Sequence, residues 1–386
     1  MCFLQYVSLY VYLKPIFVYT KSIFERKIFM SNYHREQDAI NDEKIQGFKS
    51  EFPKYIGDFL DNMRELNNSS KTRLGYVYDL RTFFAFLEKD FSVAPLDVSI
   101  QFLAELTPLD IQHYLTYLSR YQTDEDIAYN KAHPYKSPKY HTNSPSSKAR
   151  KLTVVRGLYK YLIRNSQLAN NPADVVQIPK DKRKNNDIIA MDNSEVGRMI
   201  SGAEDGSSLS GRAVKFSKHT RLRDMAILQL LVGTGLRVSE LVGIDISDID
   251  WNTKSVMVFR KEGKEQRVYM NEDASAAVYD YIHNERKAIS DDVKALFVSP
   301  RNGTRLTVRS IERIVKKYTE SITNQDIHTH SLRSTYATNL YKNTEDIKLV
   351  ADALGHNNLA TVSRYSKSGE ANRKRAAGVV NYEDDE

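Results

Sequence analysis

Arg237, in the second half of this chain, is the first of several residues whose type and position suit phosphate. It lies in the sequence Thr-Gly-Leu-Arg, after a glycine-bounded turn and within the first turn of a predicted helix. A helix N-terminus and a guanidinium group both favour an anion. The alternative is a surface arginine that pairs with Glu240, three residues further on.

His330 and Arg333 are three residues apart on another predicted helix, so we expect them to share one face. The opposite, buried face is expected to hold Leu332, Tyr336 and Leu340. The arginine makes this pair a poor metal site, because it repels a cation. A zinc site formed by His328, His330 and His356 is the less favoured alternative, since no Asp, Glu or Cys lies directly beside any of these histidines. The pair therefore indicates a phosphate site.

Three further residues can take part in chemistry only in the right context. Lys261 lies in a predicted hairpin, from which it could reach a bound partner, although an ordinary solvated turn is the simpler interpretation. His356 follows Gly355, a typical helix end, in a turn expected to be exposed. Tyr365 lies nine residues beyond His356, and since the chain contains 24 tyrosines it could equally be a core residue, a surface residue or a nucleophile.

Helices and one hairpin must position these residues. Helices are predicted from Asn193 and from Arg223, and two short strands are predicted at 255–259 and 267–270. Thr344 is expected to cap a helix whose apolar stripe ends at Leu354.

The first half of the chain is also mainly helical by its pattern. Capped helices are predicted from Ser70, after Thr107 and from Ser147. The segment 121–147 has no apolar period and is predicted to be a long loop.

Two groups of basic residues are candidates for DNA contact. The helix from Ser147 has a polar face that either is solvated or lies against phosphates, with Lys148, Arg150, Lys151 and Arg156. A proline-containing segment that marks the predicted domain boundary carries Lys180, Lys182, Arg183 and Lys184. Such a linker suits a protein wrapped around DNA, although many unstructured linkers have the same composition.

The composition is that of a globular protein with an acidic partner. The net charge is +7 and the pI is near 9.1, which favours nucleic acid. A single cysteine, Cys2, excludes an intramolecular disulfide framework and a cysteine-based zinc site, and we expect a cytoplasmic protein. The apolar start of the chain is too short before Lys14 to span a bilayer, and we expect translation to begin at Met30.

The motifs Thr-Gly-Leu-Arg-Val-Ser-Glu-Leu, His-Ser-Leu-Arg and Leu-Gly-His, with Tyr365 beyond them, resemble the signature boxes of the tyrosine recombinase (phage integrase) family. The likeness is strongest to its Xer-type branch. The stretch 150–173 also resembles the helical domain with which the family grasps DNA. Two features depart from the pattern: the segment 121–147 is long, and Ser334 stands where a histidine often follows the second arginine.

The resemblance implies a mainly α fold with a small β-sheet. Residues 51–176 would form a SAM-like helical core-binding domain and residues 193–386 a mixed α+β catalytic domain. By its composition the segment 177–192 is predicted to be a basic linker, and residues 1–50 are predicted to be a poorly ordered extension.

The resemblance also implies a reaction. The family's catalytic residues correspond in this chain to Arg237, Lys261, His330, Arg333, His356 and Tyr365. Tyr365 would attack a phosphodiester of double-stranded DNA and form a 3′-phosphotyrosyl link, with no ATP, metal or other cofactor. The sequence has neither a phosphate-binding P-loop nor the carboxylate cluster of a two-metal nuclease.

The same resemblance implies a tetramer on DNA, made of one chain or of this chain with a paralogous recombinase. A type IB topoisomerase-like enzyme and a catalytically silent DNA-binding regulator are the alternatives. The motifs leave open the target site and the choice between integration, excision and chromosome dimer resolution.

Overall fold

The computed structural model describes residues 32–178, 188–207, 209, 211–260, 264–355, 359 and 362–366. The chain divides into two compact units, the N-terminal unit (1–184) and the C-terminal unit (185–386). No helix among the described residues combines the length and the apolar character needed to cross a membrane.

The N-terminal unit is built from seven helices of the described region. In chain order they are α1 (Asn32–Lys49), α2 (Lys54–Glu65), α3 (Ser70–Phe91), α4 (Ile100–Glu105), α5 (Pro108–Tyr117), α6 (Asp124–Ala132) and α7 (Pro145–Arg164). The central helix is α3, which packs against α1, α2, α5 and α7. Its aromatic residues Phe83, Phe84 and Phe86 are buried and contact Tyr114 and other rings.

Two predictions for this unit are wrong. Residues 32–49 form a helix rather than a poorly ordered extension, because Ile45 is buried and Arg73 of α3 pairs with Asp42 at 2.7 Å. The segment 121–147 contains α6 rather than one long loop. A capping box between Thr123 and Asp126 begins that helix, and a short sequence signal of this kind outweighs the missing apolar period.

The C-terminal unit contains eight helices of the described region and one sheet. The helices are α8 (Asn193–Asp205), α9 (Arg212–Ser217), α10 (Arg221–Thr234), α11 (Val238–Gly243), α12 (Glu272–Asn284), α13 (Val308–Thr319), α14 (Thr329–Thr344) and α15 (Ile347–Leu354). The strands are β1 (Ile249–Asp250), β2 (Ser255–Phe259) and β3 (Glu265–Tyr269). They pair antiparallel in the order β1-β2-β3, with Val256 opposite Val268.

The helix α10 is the centre of the C-terminal unit and packs against α8, α12, α13 and α14. Its Asp224 is fully buried and bonded to Arg223, Lys317 and the hydroxyl of Tyr318. This network ties α10 to α13 through charged groups in the interior.

The junction between α14 and α15 differs from the prediction. Thr344 ends α14 instead of capping the next helix, and Glu345 takes a left-handed conformation with φ of 56°. Asp346 is the actual cap, because its carboxylate accepts from the backbone N–H groups of Lys348 and Leu349. The turn therefore shifts the start of α15 by two residues.

Candidate active site

Arg237 stands on a tight turn between α10 and α11. Gly235 ends α10 with φ of 63°, and a Cβ at this position would lie 2.4 Å from the ring of Tyr336. Only glycine therefore fits at this position without strain. Arg237 is the N-cap residue of α11, and the buried Glu240 accepts from its backbone N–H at 2.9 Å and from its Nη1 at 2.6 Å. The ion pair with Glu240, which was the alternative interpretation of Arg237, is thus present, while the Arg237 side chain remains 30% exposed.

Arg333 is one of the largest fully buried side chains of the described chain, with 2% exposure. Its Nη1 donates to the carbonyl of Gly235 and its Nη2 to the carbonyl of Leu354, each at 2.6 Å. Burial is the largest cause that lowers the pKa of Arg333, to about 10, and the charge of Arg237 adds to it. Arg333 therefore stays cationic at neutral pH, with the plane of its guanidinium group fixed by two carbonyls.

The predicted separation of faces on α14 is wrong. His330 is exposed whereas Arg333 is buried beside Leu332. Buried residues occur on all sides of the first half of this helix, namely Thr329, Ser331, Leu332, Arg333, Ser334, Thr335 and Ala337. A periodicity argument that assigns arginine to the surface fails in such a helix.

Tyr365 lies in a short 3₁₀ helix, Ser363–Ser366, that packs against α14 and α15. Its ring is 5% exposed and belongs to a small apolar cluster that includes Leu354 and Val362. The adjacent Arg364 donates from Nη2 to the Tyr365 hydroxyl at 2.9 Å, and its guanidinium carbon lies 5.0 Å from the ring centre. Arg364 therefore holds the direction of a tyrosine hydroxyl, a group that can act as a nucleophile in covalent catalysis.

His330 has a lowered pKa. Although His330 keeps an exposed surface, loss of water around its ring from the neighbouring protein is the largest cause, followed by the positive charges of Arg364 and Arg333. Because the ordinary histidine pKa is near 6.5, His330 is neutral at pH 7 and able to accept a proton.

Two residues of this site were not predicted to be part of its core. Arg260, at the end of β2, has a side chain that is only 6% exposed and approaches Glu240 at 3.4 Å. Glu240 thus contacts Arg237 and Arg260, and it also acts on the pKa of Arg333. Arg260 left no signal in the sequence, because a single arginine after a strand is typical of a solvated turn.

The cluster of three arginines around one buried carboxylate has a clear chemical preference. Arg333 and Arg260 have lowered pKa values, mainly through burial and also through the charge of Arg237. An anion that enters would reduce this repulsion and could accept the planar, forked hydrogen bonds of guanidinium groups. A phosphodiester fits these requirements.

Lys261 and His356 lie outside the described residues, as do Lys180, Lys182, Arg183 and Lys184. Within the described residues, no group of three or more His, Cys, Asp or Glu side chains is placed to hold a metal ion.

The candidate DNA-contacting residues of α7 do not all face outward. Lys151 is buried and bonded to Asp79 of α3 at 2.9 Å, so it is not available to a phosphate. Arg156 donates to the backbone carbonyls of Ala173 and Val176. Arg150 pairs with Asp79 but keeps a 57% exposed side chain.

An exposed basic surface precedes and includes part of α7. No Asp or Glu occurs between Asp126 and Asp174, whereas this stretch contains nine Lys or Arg residues. Those that are exposed are Lys131, Lys136, Lys139, Arg150, Lys160 and Arg164. We call the group Lys131, Lys136 and Lys139 the insert lysines.

The insert lysines are carried by an ordered segment. His141 pairs with Asp126 at 2.9 Å, and Asn130 exchanges two hydrogen bonds with the backbone of Lys139 at 3.1 and 2.8 Å. Tyr121 and His141 form a β-bridge and stack their rings. The basic surface therefore has a fixed shape.

Comparison with known proteins identifies the family of this chain. The model of the phage integrase family matches residues 191–372. A tyrosine recombinase XerC of Natranaerobius thermophilus is 30% identical over 322 residues, which cover 81% of this chain and 94% of the relative. A tyrosine recombinase XerC of Myxococcus xanthus is 33% identical over 231 residues, covering 58% of this chain and 72% of the relative.

Solved structures share the fold. The Tn1549 transposon integrase in complex with transposon right end DNA has a TM-score of 0.59 at 19% identity, over 84% of this chain and 98% of that one. The XerH site-specific recombinase bound to a palindromic difH substrate has a TM-score of 0.55 at 18% identity, over 81% of both chains. With the 30% identity to a XerC relative covered almost in full, the chain belongs to the phage integrase family of tyrosine recombinases.

Proposed function

We propose that this protein binds a specific double-stranded DNA site, cuts it through Tyr365 and rejoins it to a new partner. The observation that carries the proposal is the arginine cluster. Arg237 and Arg333 lie on two different elements linked through Glu240 and the Gly235 carbonyl. Arg333 also donates to the carbonyl of Leu354, whose side chain belongs to the same apolar cluster as Tyr365, the tyrosine that the family motif identifies.

In the proposed reaction, the Tyr365 oxygen attacks phosphorus, the bond to the 5′ oxygen breaks and a 3′-phosphotyrosyl bond forms. Arg237 and Arg333 neutralise charge that develops on the non-bridging oxygens. His330 takes the phenol proton, a role that its neutral state permits.

Lys261 and His356 complete the proposed site by resemblance alone. Lys261 would protonate the departing 5′ oxygen, and His356 would bond to the same phosphate. Because the phosphotyrosyl bond retains the energy of the phosphodiester, a 5′ hydroxyl of another strand can reverse the step without an added energy source.

A nicked suicide substrate tests the proposal. Cleavage next to the nick releases a short fragment, so the covalent complex accumulates and migrates slowly on a denaturing gel. The parent protein is expected to give this complex, and Tyr365→Phe is expected to give none. Tyr341→Phe changes another tyrosine that packs against the same apolar cluster and is the matched control, expected to cleave as the parent does.

The other outcomes separate the alternatives. Tight, site-specific binding without a covalent complex would contradict the proposal and support a silent DNA-binding regulator. A covalent complex that forms equally on unrelated DNA, with relaxation of supercoils by a monomer, would support a topoisomerase-like enzyme.

The lowered pKa of His330 predicts how cleavage depends on pH. If neutral His330 accepts the proton, the rate should be constant near pH 7 and should fall only below about 6.5, the ordinary histidine value. Because the pKa of His330 is lower in the folded protein than in the unfolded chain, the unfolded chain takes up the proton at a higher pH. The stability that neutral His330 contributes is therefore present above about pH 6.5 and is lost as the pH falls.

Single-turnover rates across pH 5 to 8 test this, with Arg364→Gln as the comparison. Removing this positive neighbour should move the inflection to higher pH, because Arg364 is one of the causes of the lowered pKa. An inflection that stays unchanged in Arg364→Gln would contradict the assignment to His330.

We propose that the insert lysines contact DNA phosphates. Each Lys→Gln change at positions 131, 136 and 139 should reduce the slope of log affinity against log salt by about 1, and the triple variant by about 3. Lys44→Gln, an exposed lysine of α1 next to Glu43, is the matched control and should leave the slope unchanged. Equal slopes for the triple variant and the parent would remove these residues from the interface.

Exchange of strands between two duplexes needs four nucleophiles, one for each strand. We therefore propose that four copies assemble on two sites. Mass measurement of the complex with DNA should give four chains per two duplexes, while a monomer on each site would contradict this part of the proposal.

A further inference from the structure

Arg260 is buried at the point where β2 ends, with its guanidinium group directed to the C-terminal end of α15. Its Nη1 donates to the Leu354 carbonyl at 2.7 Å, and its Nη2 to the Ala353 carbonyl at 3.2 Å. The last carbonyls of a helix lack partners within the helix and carry partial negative charge, so a cation at this end is favourable. Arg260 therefore fastens the β2–β3 hairpin to the end of α15.

Arg260 shares one acceptor with each of the two arginines of the proposed phosphate site. The Leu354 carbonyl accepts from Arg260 and also from Arg333 at 2.6 Å. The Glu240 carboxylate lies between Arg237 at 2.6 Å and Arg260 at 3.4 Å. Arg260 thus contacts both Glu240, which orients Arg237, and the Leu354 carbonyl, which orients Arg333.

The contacts form a closed ring. Arg237 binds Glu240, Glu240 contacts Arg260, and Arg260 shares the Leu354 carbonyl with Arg333. Arg333 then binds the carbonyl of Gly235, which lies two residues before Arg237 on the same turn. Movement of one member therefore changes the geometry of the others.

The turn after α15 also rests on Arg260. Gly355 has φ of 60°, and a Cβ there would lie 2.8 Å from Arg260 Nε and 2.7 Å from Gln266 Oε1. The guanidinium group is thus in close contact with the backbone of this glycine. A smaller side chain at position 260 would leave space beneath the turn.

We propose that Arg260 is a positioning residue for cleavage, which holds Glu240 and the end of α15 so that Arg237 and Arg333 grip the same phosphate. The inference rests on the proposed function. In this role Arg260 acts without touching DNA, since its side chain is 6% exposed and both of its Nη groups donate to protein acceptors.

The first test compares binding with cleavage. Arg260→Met keeps the length of the side chain and removes its charge and donors. It is expected to bind the uncleaved site within about twofold of the parent and to form the covalent complex about 10- to 100-fold more slowly, as is typical of small displacements in a catalytic site. Arg267→Met, on the neighbouring strand β3, removes an exposed arginine paired with Asp250 and should change neither quantity.

The second test uses a substrate with a methylphosphonate at the cleaved position, in which a methyl group replaces one non-bridging oxygen. This substrate carries no charge on the phosphorus centre and so depends less on the two arginines. If Arg260 acts through them, the rate difference between Arg260→Met and the parent should shrink to about threefold or less. A general loss of structure would reduce cleavage of both substrates equally.

Arg260→Lys covers the case in which the methionine variant does not fold. Lysine keeps the charge but lacks the fork that serves Glu240 and Leu354 together, so a smaller loss with the same substrate dependence is expected. Cleavage at the parent rate by either variant, or an equal loss on both substrates, would overturn the inference alone. A parent protein that forms no covalent complex would contradict the proposed function and this inference together.

Discussion

Arg333→Ala is expected to lower the rate of covalent complex formation by a factor of at least about 10³, the effect typical of an arginine that stabilises a phosphoryl transition state. The variant also leaves the Gly235 carbonyl without the side-chain donor that it has now, at a cost of about 1–3 kcal/mol, whereas the Leu354 carbonyl keeps Arg260 as a donor. Activity and stability should therefore both fall.

Arg333→Lys separates these two effects. A lysine keeps the positive charge but cannot serve two carbonyls and a phosphate in one plane, so most of the rate loss should remain. Arg313→Ala removes an exposed arginine of α13 and is the matched control. Rates are measured with the suicide substrate at saturating protein, and a loss below tenfold for Arg333→Ala would contradict its role at the phosphate.

Asp224→Ala is expected to reduce the free energy of unfolding of the C-terminal unit by about 3–5 kcal/mol. The carboxylate is fully buried and accepts from Arg223 at 2.7 Å and from Lys317 and Tyr318 at 3.0 Å. Its removal leaves the buried Arg223 without this partner. The effect is large because an uncompensated buried charge costs more than an exposed ion pair contributes.

Denaturant unfolding measures this change, with Asp280→Ala on the exposed side of α12 as the control. The control should change the unfolding free energy by less than about 0.5 kcal/mol. A similarly small change in Asp224→Ala would mean that the network contributes little to the stability of this unit.

Local patterns predicted much of the catalytic scaffold. The strand β2 was predicted with its observed bounds, because a short continuous run of apolar residues is followed by a charged turn. The end of α15 at Leu354 followed from Gly355, whose positive φ suits glycine. The motif that contains Gly235 and Arg237 was recognised from the same kind of local information.

Features that depend on distant partners were not predicted. Lys151 was assigned to the surface, yet its partner Asp79 lies on a helix 72 residues earlier. Arg333 can be buried because two backbone carbonyls from other segments accept hydrogen bonds from its guanidinium group. The apolar pattern of its own helix contains no information about these distant partners. The burial of Arg260 was not predicted for the same reason, because its partners Glu240 and the Leu354 carbonyl are distant in the sequence.

The helix α6 is a different case, since its signal was present but outweighed. Thr123 and Asp126 have the spacing of a capping box, and both reciprocal bonds form. The surrounding proline, serine and asparagine residues are typical of a loop, and the prediction followed them rather than the capping box. The exposed lysines within and after α6 were not predicted to be DNA contacts for the same reason.

The identity of the amino acid that becomes joined to DNA tests the central claim most directly. The covalent complex is trapped on the suicide substrate, the DNA is trimmed with nuclease, and the protein is digested and sequenced by mass spectrometry. We predict one modified peptide, with the nucleotide joined to the oxygen of Tyr365. A nucleotide on another tyrosine, or on a serine, would contradict the assignment of Tyr365 as the nucleophile.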